Sequence, residues 1–80
     1  MRIKATTISG SEYVLDSDSM TWEQVTVTER SGAHRSRKGN LISWPEFQLG
    51  ISLYMFDDAV LPNHSAHCVV TSNLVKIELL

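Results

Sequence analysis

Met20-Thr21-Trp22-Glu23-Gln24-Val25-Thr26-Val27-Thr28-Glu29-Arg30 carries the cleanest alternation in this chain. Val25 and Val27 fall on one side, and Trp22, Gln24, Thr26 and Thr28 on the other. A period of two, rich in β-branched residues, is the pattern of a β-strand and not of a helix. Once this run is a strand, its neighbours read in the same way. On its amino-terminal side, Arg2 to Ile8 contains Ile3, Thr6, Thr7 and Ile8, followed by the turn formers Ser9-Gly10-Ser11. Glu12 to Leu15 then returns, so the chain is expected to open with a hairpin that points Tyr13 and Leu15 to one face and Val14 to the other. Asp16-Ser17-Asp18-Ser19 is a polar connection to the alternating run.

On the carboxy-terminal side lies a basic segment, Arg30 to Lys38, and then a short strand expected over Leu41 to Trp44. Pro45 ends that strand because it has no N–H for a ladder bond. Phe47, Leu49, Ile51, Leu53 and Met55 recur at every second position, with Gly50 as a point of bending. This is the expected central strand. Asp57 to His67 shows neither period and contains Pro62 and Asn63, so it reads as a loop with a helical turn near Asp58 to Leu61. Cys68 to Leu79 reads as one or two closing strands broken near Ser72-Asn73. Together these pieces predict a single small all-β domain over residues 1–80. Its five or six strands form a partly open barrel or a bent antiparallel sheet with one long basic hairpin loop.

Eighty residues bury only roughly 60 to 65% of the surface the unfolded chain exposes, so the core is small. The 42% hydrophobic and 20% charged residues are those of a folded domain. Cys68 is the only cysteine, so no internal disulfide supports the fold, and a reducing cytoplasmic setting is expected. Met1 to Gly10 lacks the apolar segment of a signal peptide. The longest unbroken apolar run, Leu53 to Phe56, is far shorter than the roughly 20 residues of a membrane-spanning helix. Self-association is the expected support for so small a core, by default as a homodimer paired along the carboxy-terminal strand.

The basic segment concentrates four of the seven Lys and Arg residues, Arg30, Arg35, Arg37 and Lys38, around His34 in a chain of net charge -2. Guanidinium groups grip phosphate bidentately, so these residues are candidates for an anion-binding arm. Trp44, next to the Pro45 break, is the candidate base-stacking residue among Tyr13, Trp22, Trp44 and Tyr54. Solvated loop charges and core aromatics are the competing structural explanations. His64, His67 and Cys68 are a weaker constellation, since imidazole and thiolate ligate zinc and His34 or Asp57 would complete the set. No metal and no cofactor are expected. His67 and Cys68 are adjacent on a strand and point to opposite faces, which argues against a nucleophile pair. Asp57 and Asp58 read as solvated loop carboxylates, and the glycines at 10, 32, 39 and 50 match no nucleotide fingerprint. The expectation is a non-enzymatic protein.

The succession of Ser9-Gly10-Ser11-Glu12-Tyr13-Val14-Leu15-Asp16, Met20-Thr21-Trp22, Leu41-Ile42-Ser43-Trp44-Pro45, Leu49-Gly50-Ile51-Ser52-Leu53, Thr71-Ser72 and Val75-Lys76-Ile77-Glu78 resembles small uncharacterised accessory proteins encoded by tailed phages of actinobacteria. The resemblance implies a cytoplasmic protein of an infected bacterium that acts by binding in host takeover or counter-defence. It supplies no catalytic or binding residues. The expected partner is a host protein, engaged by a sheet edge or the long hairpin. The alternative is a nucleotide second messenger or nucleic acid held by the basic loop.

Overall fold

The computed structural model describes residues 1–26, 38–60 and 66–80, with side chains over residues 1–25, 38–57 and 68–80. Six antiparallel strands are formed by these residues: β1 (Arg2–Thr7), β2 (Glu12–Asp16), β3 (Thr21–Thr26), β4 (Lys38–Asn40), β5 (Ser52–Val60) and β6 (Ala66–Leu79). No helix occurs among them. The strands lie in the order β4-β3-β2-β1-β6-β5. The two end strands then approach each other through a Leu41–Asp57 bridge, and the sheet curls into a nearly closed barrel with one unsealed seam. Closure of this kind removes most of the exposed strand edges that an open sheet would carry.

The opening hairpin forms as its sequence predicts. Ala5 pairs with Tyr13 and Ile3 with Leu15, which places Ala5, Tyr13 and Leu15 in the interior. Its turn is held by Gly10, whose φ of 92° suits glycine, and by bonds from Thr7 N to Ser11 O and from Gly10 N to Thr7 O. The buried Thr7 hydroxyl accepts the Ser11 N–H at 3.2 Å, so its desolvation is compensated.

In β3 the Trp22 and Gln24 side faces inward and Val25 outward, because the indole is the larger apolar group to bury. The strand opposite is Lys38–Asn40 and not Leu41 to Trp44, so the predicted hairpin exists with its second arm shifted toward the amino terminus. Gly39 stands across from Trp22, and a Cβ on it would lie 2.7 Å from Trp22 Nε1 and 3.0 Å from Asp57 Oδ2. Only a residue without a side chain fits there. Leu41 ends this arm by donating to Met20 O, and Ile42 turns to the other side of the seam and donates to Phe56 O at 2.9 Å.

The long alternating run after Pro45 is divided. Gly50 has a φ of 89° and turns the chain, leaving Leu49 and Ile51 exposed and Phe47 packed against the core from an irregular segment. Leu53 and Met55 alone continue as fully buried strand positions. Nor is β5 central, for it ends the strand order at the seam. Asp57 to Val60 belongs to β5 and Ala66 and His67 to β6, so most of the segment read as a loop is the body of a hairpin; residues 61–65 lie outside the described residues.

The closing segment is one strand of 14 residues. Its expected break at Ser72-Asn73 is a change of partner. Residues up to Asn73 pair with β5, and residues from Leu74 on pair with β1, on opposite edges. The interior these strands enclose comprises Ala5, Tyr13, Leu15, Trp22, Leu41, Leu53, Met55, Val69 and Leu74, with Met20, Trp44, Phe47 and Ile77 packed against it.

Candidate binding surface

Lys38 is the first residue of β4 and is exposed, at the foot of the basic segment. Its partner across the ladder is Glu23. Lys38, Gly39 and Asn40 of β4 with Thr21, Trp22 and Glu23 of β3 line a shallow groove of about 520 Å³. Arg30, His34, Arg35 and Arg37, the rest of the predicted anion-binding set, lie outside the described residues.

Trp44 occupies a different place. It sits in the irregular segment after the seam, half-buried, with its ring centroid 5.6 Å from that of Phe47 at an interplanar angle of 51°. It lines a second groove, of about 390 Å³, with Pro45, Ile51, Tyr54, Phe56 and neighbouring polar residues, among them Glu46. The two grooves share no lining residue, so among the described residues Lys38 and Trp44 line different grooves. Trp22 and Tyr13 are core residues, 6.5 Å apart between centroids, and are removed from the list of rings that could stack on a ligand.

Cys68 is half-buried on β6 opposite Phe56. His64 lies outside the described residues, as does the side chain of His67, whose Cα pairs with that of Asp57. Among the described residues no three His, Cys, Asp or Glu side chains cluster as a metal site. Asp57 corrects the expectation of a solvated loop carboxylate. It is only 4% exposed, on the inner face of β5, with Oδ2 beside the backbone of Gly39. The alternation that buries Leu53 and Met55 also turns Asp57 inward.

The largest feature missed in the sequence lies on the outside of the β5–β6 hairpin. Tyr54 is 54% exposed, Phe56 41% and Val70 54%. Tyr54 and Val70 are ladder partners, Phe56 is paired with Cys68, and Ile42, also exposed, is bonded through its N–H to Phe56 O. These side chains therefore form one continuous apolar surface that runs into the Trp44 groove. A signal for it was present in the apolar run Leu53-Tyr54-Met55-Phe56. A strand with apolar residues on both faces has something to contact on both.

No protein-family model, curated protein or solved structure matches this chain.

Proposed function

We propose that the protein is a non-catalytic binding module whose outer β5–β6 face docks on an apolar surface of a partner protein. The carrying observation is the contiguous exposure of Ile42, Tyr54, Phe56 and Val70 beside the Trp44 groove. An exposed apolar patch with aromatic anchors is the usual mark of a protein contact. Glu46 is the charged residue in the groove lining and the chain carries a net charge of -2, so this surface favours an apolar protein over an anionic ligand. The resemblance to phage accessory proteins makes a protein of the bacterial host the partner to look for, in the cytoplasm, where the protein would act by occupancy.

The test is site-specific photo-crosslinking from position 54 in host cells, followed by reconstitution with the partner so identified. Binding should fall at least tenfold with Tyr54→Ser and Val70→Ser together, and should change little with ionic strength. A partner whose binding ignores both substitutions sinks the proposal.

A second reading has one observation in its favour. The Lys38 groove has the size of a nucleotide site and opens at the foot of the basic segment. A phosphate ligand held by Arg35, Arg37 and Lys38 would be lost steeply with salt and abolished by changing all three to alanine.

A further inference from the structure

β6 is longer than the strands beside it, and its last third has one edge that no described strand covers. The direction of each main-chain group follows from the hydrogen bonds. Asn73 O accepts from Ile8 N, and Leu80 N donates to Arg2 O, both toward β1. Leu74 faces the opposite edge, where its N–H donates to Ile51 O and its carbonyl accepts from Gly50 N. Thr7 pairs with Leu74 and Thr6 with Lys76, so Val75 is the extra residue of a bulge. Beyond it the alternation resumes. Lys76 and Glu78 direct their main-chain groups to β1, and Ile77 and Leu79 direct theirs to the other edge. β5 begins at Ser52, opposite Asn73, and the chain before it bonds this edge at Leu74, through Ile51 O and Gly50 N. Ile77 and Leu79 therefore present N–H and C=O groups on an edge left open by the described strands.

We propose that this edge pairs with the same edge of a second copy of the chain, antiparallel about a two-fold axis at Ile77, to give a homodimer. The register follows from the sequence Val75-Lys76-Ile77-Glu78-Leu79, which is complementary to its own reverse. Centred on Ile77, the pairing places each Lys76 opposite the partner's Glu78 and each Val75 opposite the partner's Leu79. Centring it on residue 76 or 78 would oppose like charges, which disfavours those registers. Lys76 Nζ already lies 3.4 Å from Glu78 Oε1 within one chain, so both groups are on the same outer face and available to a partner. Val75, Leu79 and Leu80 are exposed at this edge, as are Leu49 and Ile51 beside it, and the pairing would cover apolar side chains as well as main-chain groups. The contact is separate from the proposed docking face, which lies on the β5 half of β6, so one dimer presents two such faces.

The test is the mass of the full chain in solution by sedimentation or native mass spectrometry across micromolar to millimolar concentrations. The wild type is expected to dimerise reversibly. Lys76→Glu should raise the dissociation constant about tenfold, because two attractive pairs become repulsive, and Lys76→Glu with Glu78→Lys should restore it. A second measurement reads the register without relying on charge. Lys76→Cys and Glu78→Cys chains, both carrying Cys68→Ser, are mixed in a glutathione redox buffer. Residues 76 and 78 face each other as a non-hydrogen-bonded pair of about 4.5 Å between Cα atoms, so the mixed disulfide should form ahead of either self-disulfide. A monomer throughout the range, a dimer indifferent to Lys76→Glu, or crosslinking with no preference for the mixed pair would overturn the proposal.

Discussion

The two halves of β6 enclose the same core and present opposite chemistry outside. Over β1 and β2 the outer surface is ionic, with Lys4 Nζ 3.0 Å from Glu12 Oε2 and 3.9 Å from Glu78 Oε1, and Lys76 3.4 Å from Glu78. Over β5 the positions with the same outward orientation include Tyr54, Phe56, Cys68 and Val70, with Ser52 and Ser72 near the change of partner. The interior is continuous, running from Ala5 and Leu15 to Leu53, Met55 and Val69. Nothing in barrel closure requires the exterior to change character at Ser72-Asn73, where β6 changes partner. The ionic half is what a solvated sheet needs, whereas the apolar half is the face we propose for docking a partner.

The sharpest way to break that contrast is to compare adjacent residues on one strand. Leu53→Ala removes a fully buried side chain and should cost about 2 to 5 kcal/mol, a large share of the stability of an 80-residue domain. Tyr54→Ser, one position along and facing out, should cost less than about 1 kcal/mol while weakening partner binding. Urea unfolding of the two variants reads both values. Similar losses would mean that the outer face belongs to the core, and the contrast would fail.

Next in size is the point where the shared interior is tightest. Gly39→Ala would place a methyl 2.7 Å from Trp22 Nε1 and 3.0 Å from Asp57 Oδ2. Neither neighbour is the free end of a flexible surface chain, since Trp22 and Asp57 are both buried, so the indole or β4 has to shift. The expected loss is about 1 to 3 kcal/mol, with a change in the near-ultraviolet circular dichroism of Trp22. An unaltered spectrum and midpoint would show that β4 moves freely at the seam. Gly50→Ala meets no atom within 4 Å, and its cost should come from φ alone.

Particular residues show how much of this was legible in the sequence. The period of two identified the all-β class, and Ser9-Gly10-Ser11 located the first hairpin, because both signals are local. Gly39 fell between the basic segment and the strand expected from Leu41, although it is an inward strand position facing Trp22; a close approach between strands distant in sequence leaves no periodic trace. Phe47, Leu49 and Ile51 kept strand spacing without forming a strand, since spacing does not reveal that Gly50 adopts a positive φ. Asp57 was misplaced because a carboxylate carries a strong prior for solvent, which the geometry of β5 overrides. Of the candidate site, Lys38 and Trp44 proved to line different grooves. The outer apolar face was readable only as Leu53 to Phe56, a run that periodicity alone cannot apportion between inside and outside.

The smallest expected effect tests the ionic half. The hydrogen bond and charge of Glu12, helped by the charge of Glu78, raise the pKa of Lys4 above its ordinary value. A raised folded-state pKa means that the folded chain holds this proton more tightly than the unfolded one does. The resulting stabilisation is complete below the unfolded lysine value of about 10.4 and disappears as pH climbs through the higher folded value. Lys4→Met should therefore lower the melting temperature slightly at pH 8, and the gap between variant and wild type should narrow as the pH is raised beyond the ordinary lysine value. Comparing the two proteins at each pH isolates the contribution of Lys4. Because Lys4 and its partners are solvent-accessible, added salt should narrow the gap at pH 8 as well. Melting curves that stay parallel across this range would show that the ionic ladder contributes no net stability. The apolar half would then differ from it in exterior chemistry alone, with no cost to the fold from exchanging one for the other.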